Sequence, residues 1–320
     1  MSLKEKYKDY FDIGAAVNNM TVVREAELIK EHFSSVTCEN QMKYGVVMKS
    51  DGTYKFGHAD KIYDFAKENG LKMRGHNFVW HNQTSLQIFD KDEDYVARAL
   101  ADHMRTMHDR YGDIITAWDV VNEAIEDKSS EYLRRSPWKD KFGEDYIRKI
   151  FEIASDIIPE NVGLFYNDYN EYVPEKLEKI VKMIKSVNSE EKLIDGIGMQ
   201  CHVNLHYPDI DLMRKAIETY AGLGLRIHIT EMDLSMFAFD DQTKLDKPTP
   251  EMEAEHARLY GEYFALFREY KDYIDCVTLW GVADNYTWLD YFPVRNRKNW
   301  PLLFDVNGQP KEAYYRVMDF

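Results

Sequence analysis

The chain is poor in cysteine and in positive charge, and it has no long apolar run. Its 320 residues hold three cysteines, Cys38, Cys201 and Cys276, odd in number and far apart. That excludes a disulfide framework and fits reduced thiols in a reducing compartment. Lys and Arg together number 41 against 56 Asp and Glu, a formal charge of −15. A chain this acidic does not suit nucleic acid, whose phosphates need a basic face, or an anionic membrane surface. No stretch approaches the roughly 18 apolar residues of a membrane span. The first residues, Met1 to Phe11, lack the apolar core of a secretory signal, so a cytoplasmic location is expected. No Gly-x-Gly-x-x-Gly loop, no phosphate-binding Gly-Lys-Ser/Thr loop and no His-Glu-x-x-His pair is found. No cofactor and no metal is therefore expected, and nothing points to a protein partner.

Aromatic residues are plentiful, at 14% of the chain with 22 Tyr, 16 Phe and 6 Trp. They exceed what an ordinary core needs. Short apolar runs cover residues 13–17, 35–39, 72–80, 114–122, 162–167, 194–202, 225–233 and 274–282. Amphipathic helical patterns cover 23–32, 59–69, 95–111, 146–157, 174–187, 210–223 and 250–270. Strands alternating with helices predict a parallel sheet with crossover helices. Repeated across the chain, the pattern predicts a closed (β/α)8 TIM barrel of the α/β class, with an open doubly wound sheet as the alternative. The most loop-like stretch, 239–250, is too short to divide domains, so residues 1–320 read as a single domain.

The run ends are polar: Asn18; Glu39 and Asn40; Trp80 and His81; Asn122 and Glu123; Asn167 and Asp168; Gln200 and His202; Glu231 and Asp233; Trp280 and Asp284. Barrel enzymes build their sites at the C-terminal ends of the strands. Strand alternation places His76, Phe78 and Trp80 on one face, Gln200 and His202 on one face, and Glu231 with Asp233. His228 has the opposite parity to Glu231 and reads as structural. Glu123 and Glu231 end the fourth and seventh runs. Two carboxylates flanking one bond are what glycoside hydrolysis requires.

The motifs Phe11-Asp12-Ile13-Gly14, Thr37-Cys38-Glu39-Asn40, Arg74-Gly75-His76-Asn77-Phe78-Val79-Trp80-His81, Trp118-Asp119-Val120-Val121-Asn122-Glu123-Ala124, Tyr166-Asn167-Asp168-Tyr169-Asn170, Gly198-Met199-Gln200-Cys201-His202, Ile229-Thr230-Glu231-Met232-Asp233 and Leu279-Trp280-Gly281-Val282 follow one another along the chain. Together they resemble glycoside hydrolase family 10, the endo-1,4-β-xylanases, essentially end to end. The resemblance implies a retaining enzyme acting on xylan or short xylo-oligosaccharides, with Glu123 as acid/base and Glu231 as nucleophile. It implies that Asn122 bonds the 2-hydroxyl of the sugar under attack. Gln200 and His202 serve the nucleophile side, with Asp233 behind His202. Glu39, Asn40, Lys43, His76 and Trp80 line the non-reducing-end subsites, Trp280 and Trp288 wall the cleavage site, and Tyr169 offers a face to the leaving group. His81, Asn167 and Asp168 are expected to hold loops.

Met232, Cys201 and Asn77-Phe78 depart from the family's commoner residues without removing a reacting group. Leu289, after Trp288, resembles the intracellular bacterial members, and no carbohydrate-binding module is expected. Three other readings remain at this point: a barrel glycosidase for another sugar, a metal-dependent barrel enzyme, and a sugar-binding protein without activity.

Overall fold

The computed structural model describes residues 1–128 and 130–320. Its strands are β1 (Asp12–Val17), β2 (Ser35–Cys38), β3 (Lys72–Trp80), β4 (Ile115–Asn122), β5 (Gly163–Asp168), β6 (Gly196–Met199), β7 (His202–Asn204), β8 (Arg226–Ser235) and β9 (Ile274–Leu279). They join in the order β6-β5-β4-β3-β2-β1-β9-β8-β7, and β6 also pairs with β8, which closes the sheet. The strand pairings are parallel. With β6 and β7 as one interrupted stave, this is the expected eight-stave barrel ringed by helices.

The helices form where the apolar spacing predicts them. In Glu93–Tyr111 the buried residues Val96, Leu100, Met104, Met107 and Tyr111 recur every three or four positions, a stripe turned to the sheet. Asp92 caps that helix by accepting from the Tyr95 N–H at 2.8 Å. The helix Pro250–Glu269 opens with Pro at its first turn and Thr249 as its cap. Among the described residues, no helix is long and apolar enough to cross a membrane.

The barrel interior carries a polar plug beneath the site. Arg74 of β3 bonds Asp119 of β4 through both terminal nitrogens, at 2.6 and 3.1 Å, and its Nε meets His228 Nδ1 of β8 at 2.8 Å. The His228 ring stacks on Phe165 of β5, with centroids 4.2 Å apart. Side chains from these separated staves meet only inside the barrel. His228 is therefore structural, as expected, yet it shares the interior with Glu231.

Two details of the strand pattern need correction. Phe78 does not share a face with His76 and Trp80. It stacks on Trp118 at 4.2 Å and meets His103 of the Glu93–Tyr111 helix, on the outside of the barrel. Trp118 itself lies on Gly75, where a Cβ would fall 2.0 Å from the indole. The cause is a register shift between His76 and Val79. Similar shifts occur between Asp119 and Val121 and between Ile229 and Met232. Each bulge resets the alternation, so plug and site residues of one strand both turn inward. The second correction concerns residues 194–202, which are not one strand. Cys201 adopts a left-handed φ of 54° and splits the stave into β6 and β7.

Candidate active site

The C-terminal rim of the barrel opens into a cleft of about 980 Å³. Glu39, Asn40, Lys43, His76, Trp80, His81, Asn122, Glu123, Tyr169, Gln200, His202, Glu231, Asp233, Trp280 and Trp288 all line it. The volume suits a bound oligosaccharide segment rather than a single small group.

Glu123 stands one residue past β4 in a left-handed conformation, φ 55°. For a residue with a side chain that costs about 1–3 kcal/mol and needs support. Support comes from its neighbours. The Glu123 N–H donates to the Asn167 carbonyl at 2.8 Å, and the N–H groups of Ala124 and Ile125 both donate to the Tyr166 hydroxyl at 3.1 Å. The Tyr166 hydroxyl donates in turn to Asp168. So held, the Glu123 carboxyl takes the Trp80 indole N–H at 2.8 Å on one oxygen and Gln200 Nε2 at 3.1 Å on the other.

Glu231 sits within β8 and is only 5% exposed. Asn167 Nδ2 donates to its Oε1 at 2.8 Å, and His202 Nε2 lies 3.3 Å from its Oε2. His202 Nδ1 meets Asp233 Oδ1 at 2.9 Å, and the Trp288 indole donates to Asp233 Oδ2 at 2.7 Å. A chain Trp288–Asp233–His202–Glu231 thus runs across the cleft wall. Burial alone would discharge His202, but Asp233 and then Glu231 outweigh it and push its pKa up to about 10. Burial also opposes ionisation of Glu231. The His202 hydrogen bond, with the charges of His76, His202 and Lys43, wins and holds Glu231 below the usual carboxylate value.

The Asn122 amide lies 2.9 Å from that of Asn167 and 3.3 Å from that of Gln200, so it stands between the two carboxyl sites. Glu39 accepts from Asn18 at 3.1 Å and from the Tyr286 hydroxyl at 3.2 Å. Lys43 is buried, donates to Asn40 Oδ1 at 3.0 Å, and sits 4.5 Å from the Trp80 ring centre. Burial lowers its pKa, opposed by Glu231, Glu123 and Glu39. His76 Nδ1 is 2.9 Å from Asp119, and its ring meets Trp280 edge-on at 5.5 Å.

Three residues expected to hold loops divide. Asp168 does so, buried and paired with Lys176 at 2.8 Å. Asn167 instead touches Glu231 directly, and His81 Nδ1 lies 3.9 Å from Glu123 Oε2. Burial, then the Arg134 charge, lower the His81 pKa to about 4, so this imidazole is neutral at ordinary pH. Tyr169 is more constrained than expected. Arg134 Nη2 donates to its hydroxyl at 2.6 Å, the hydroxyl donates to Asp127 at 2.5 Å, and Lys176 Nζ covers one ring face at 3.8 Å. Arg134 and Asp127 also line the cleft, as do Tyr172, Tyr207, Phe237, Phe239 and Phe292. None of these ends a strand run, so strand-end reasoning misses them. Tyr172 follows the Tyr166–Asn170 motif closely enough to have drawn notice. Among the described residues, no group of three or more His, Cys, Asp or Glu is placed to hold a metal ion.

A buried carboxylate held ionised by a charged imidazole, and a second carboxyl flanked by neutral donors, can act as nucleophile and proton donor. The indoles of Trp80, Trp280 and Trp288 in the same cleft suit a sugar ring, whose C–H faces pack on aromatic surfaces. Comparison with known proteins agrees. The family model "Glycosyl hydrolase family 10" matches residues 2–320. The chain is 48% identical over 329 aligned positions to Endo-1,4-beta-xylanase A of Caldicellulosiruptor saccharolyticus, covering 100% of this chain and 96% of that protein. It superposes on the crystal structure of the endo-1,4-beta-xylanase from Caldicellulosiruptor owensensis with TM-score 0.97 and 48% identity, covering 100% of this chain and 99% of that one. A solved variant in complex with xylotriose is similar with TM-score 0.96 and 47% identity, covering 100% of both chains.

Proposed function

The chain belongs to glycosyl hydrolase family 10 and is a retaining endo-1,4-β-xylanase, and from that premise we propose how its residues divide the reaction. Glu231 is the nucleophile and Glu123 the acid/base. The observation that carries this assignment is the unlike surroundings of the two carboxyls: Glu231 faces His202 and Lys43, Glu123 an indole and an amide.

In the first step Glu231 attacks the anomeric carbon while Glu123 gives its proton to the glycosidic oxygen. The leaving sugar departs and a glycosyl ester remains on Glu231. In the second step Glu123 takes a proton from water, the water oxygen attacks the same carbon, and the ester bond breaks. Two inversions return the original β configuration. Asn122, placed between the carboxyls, bonds the 2-hydroxyl, and that bond strengthens as charge develops on the ring. Glu39, Asn40, Lys43, His76 and Trp80 hold the non-reducing-end sugars, Trp280 and Trp288 wall the cleavage site, and Tyr169 flanks the leaving group. Three buried free thiols, Cys38, Cys201 and Cys276, favour a cytoplasmic enzyme working on imported xylo-oligosaccharides.

Glu231→Ala and Glu123→Ala test the division on aryl xylobiosides of differing leaving-group acidity. Glu231→Ala is expected to be inactive on all of them. Glu123→Ala is expected to keep fast glycosylation by acidic phenols and to stall in hydrolysing the ester. Normal turnover by Glu231→Ala contradicts the assignment.

A further inference from the structure

One contact to Glu231 crosses a whole strand. Asn167 belongs to β5 and Glu231 to β8, and β6 lies between them. The crossing is open because Gly198 of β6, paired in register with Asn167, has no side chain. A Cβ there would lie 2.2 Å from Asn167 Oδ1 and 2.9 Å from Thr230 Cγ2. Through this gap the Asn167 amide reaches β8, with Nδ2 2.8 Å from Glu231 Oε1 and Oδ1 2.7 Å from Thr230 Oγ1. Asn167, Thr230 and Glu231 are all buried, so water does not substitute for a lost partner.

The donor directions follow from chemistry. An ionised carboxylate only accepts, so the amide NH2 faces Glu231. Its carbonyl oxygen then faces Thr230, whose hydroxyl must donate. That hydroxyl makes no other hydrogen bond among the described residues. Glu231, with Asn122 Oδ1 2.9 Å from the same Nδ2, fixes which way the amide faces. The Thr230 hydroxyl pairs the carbonyl end and so anchors the amide in place.

We propose that Thr230 is a positioning residue for the reaction: its hydroxyl, acting through the opening at Gly198, anchors the carbonyl end of the Asn167 amide and so holds its NH2 at bonding distance from the nucleophile. This rests on Glu231 being the nucleophile. The other titratable groups around Glu231, namely His202, His76, Lys43, Arg74 and Glu123, are left in place when Thr230 is changed.

The test compares Thr230→Val, Thr230→Ser, Gly198→Ala and Asn167→Ala on an aryl xylobioside across pH. Loss of the Thr230 bond leaves the buried Asn167 carbonyl oxygen unpaired and frees the amide to shift off Glu231, which predicts that Thr230→Val lowers kcat/KM by about tenfold, mostly in kcat. The acid limb of kcat/KM moves to higher pH, because the donor to ionised Glu231 is held less well. Thr230→Ser restores both rate and limb, and Gly198→Ala, which pushes the amide aside, behaves like Thr230→Val. In the Asn167→Ala background Thr230→Val has no further effect. The inference is overturned if Thr230→Val keeps the wild-type rate and limb, if Thr230→Ser is as impaired as Thr230→Val, or if the Thr230 and Asn167 effects multiply independently. Should Thr230→Val not fold, Gly198→Ala and Thr230→Ser carry the same comparison. Glu231→Ala separates the two failures. If it is inactive while Thr230→Val is normal, only the positioning role falls. If it is active, the nucleophile assignment falls first.

Discussion

Asp233→Asn is the most informative single change, because it alters one charge and leaves the shape of the site. Asp233 accepts from Trp288 Nε1 at 2.7 Å and pairs with His202 Nδ1 at 2.9 Å. The asparagine oxygen can keep the indole bond, and its NH2 then donates to His202 Nδ1. The imidazole keeps its proton on Nε2 and still reaches Glu231, but as a neutral donor. In the native enzyme Asp233 is the strongest influence opposing the burial of His202, whose pKa stands at about 10. Without it, burial pulls His202 down and the ring discharges at a lower pH. The sign follows: native activity keeps its charged donor until pH rises through about 10, whereas the variant loses it earlier. A charged donor contributes about 1.5–3 kcal/mol and a neutral one about 0.5–1.5, so the difference is about 1 kcal/mol and the rate falls roughly fivefold to tenfold. The assay is kcat/KM on an aryl xylobioside from pH 5 to 9, with the His202 ring followed by NMR. The variant-to-native ratio should fall as pH rises and as the ring signal titrates. A ratio independent of pH, with His202 still charged in the variant, would refute the reasoning.

Other consequences are as direct. Lys43→Met removes one of the charges holding Glu231 ionised, so the acid limb of kcat/KM should move to higher pH and KM should rise; an unchanged limb counts against it. Arg74→Met leaves Asp119, fully buried, without its main counter-charge, and should cost about 3–5 kcal/mol in urea unfolding, the range for breaking a buried pair. A loss below about 1 kcal/mol would mean that His76 alone satisfies Asp119. Thr249→Ala removes the cap on the Pro250–Glu269 helix and should cost about 1 kcal/mol in unfolding with kcat unchanged.

The barrel was legible because its signals are periodic. The Lys72–Trp80 strand and the Pro174–Val187 helix fall where their apolar spacing puts them. Glu123 and Glu231 stood out as carboxylates ending β-branched runs, and the barrel brings the expected residues to one rim. The period-two rule failed at His76–Val79, Asp119–Val121 and Ile229–Met232, where bulges reset parity. A bulge of this kind depends on neighbouring strands, so Phe78 was placed on the wrong face and His228 inside the barrel was not foreseen. Nothing local marks Cys201 as left-handed, and the break it makes in the sixth stave stayed hidden. Arg134 and Asp127 look like solvated loop charges in sequence; only folding brings them to Tyr169. Asn167 looked like a loop residue because its reach to Glu231 passes over Gly198, a relation between three strands that no single motif contains.

The central claim is that Glu231 and Glu123 together perform a double displacement on xylosidic bonds. The measurement that bears on it most directly is the anomeric configuration of the first product released from a xylo-oligosaccharide, read by proton NMR before mutarotation. The account predicts the β-anomer. First appearance of the α-anomer would mean a single displacement by water, and the covalent role of Glu231 would be wrong.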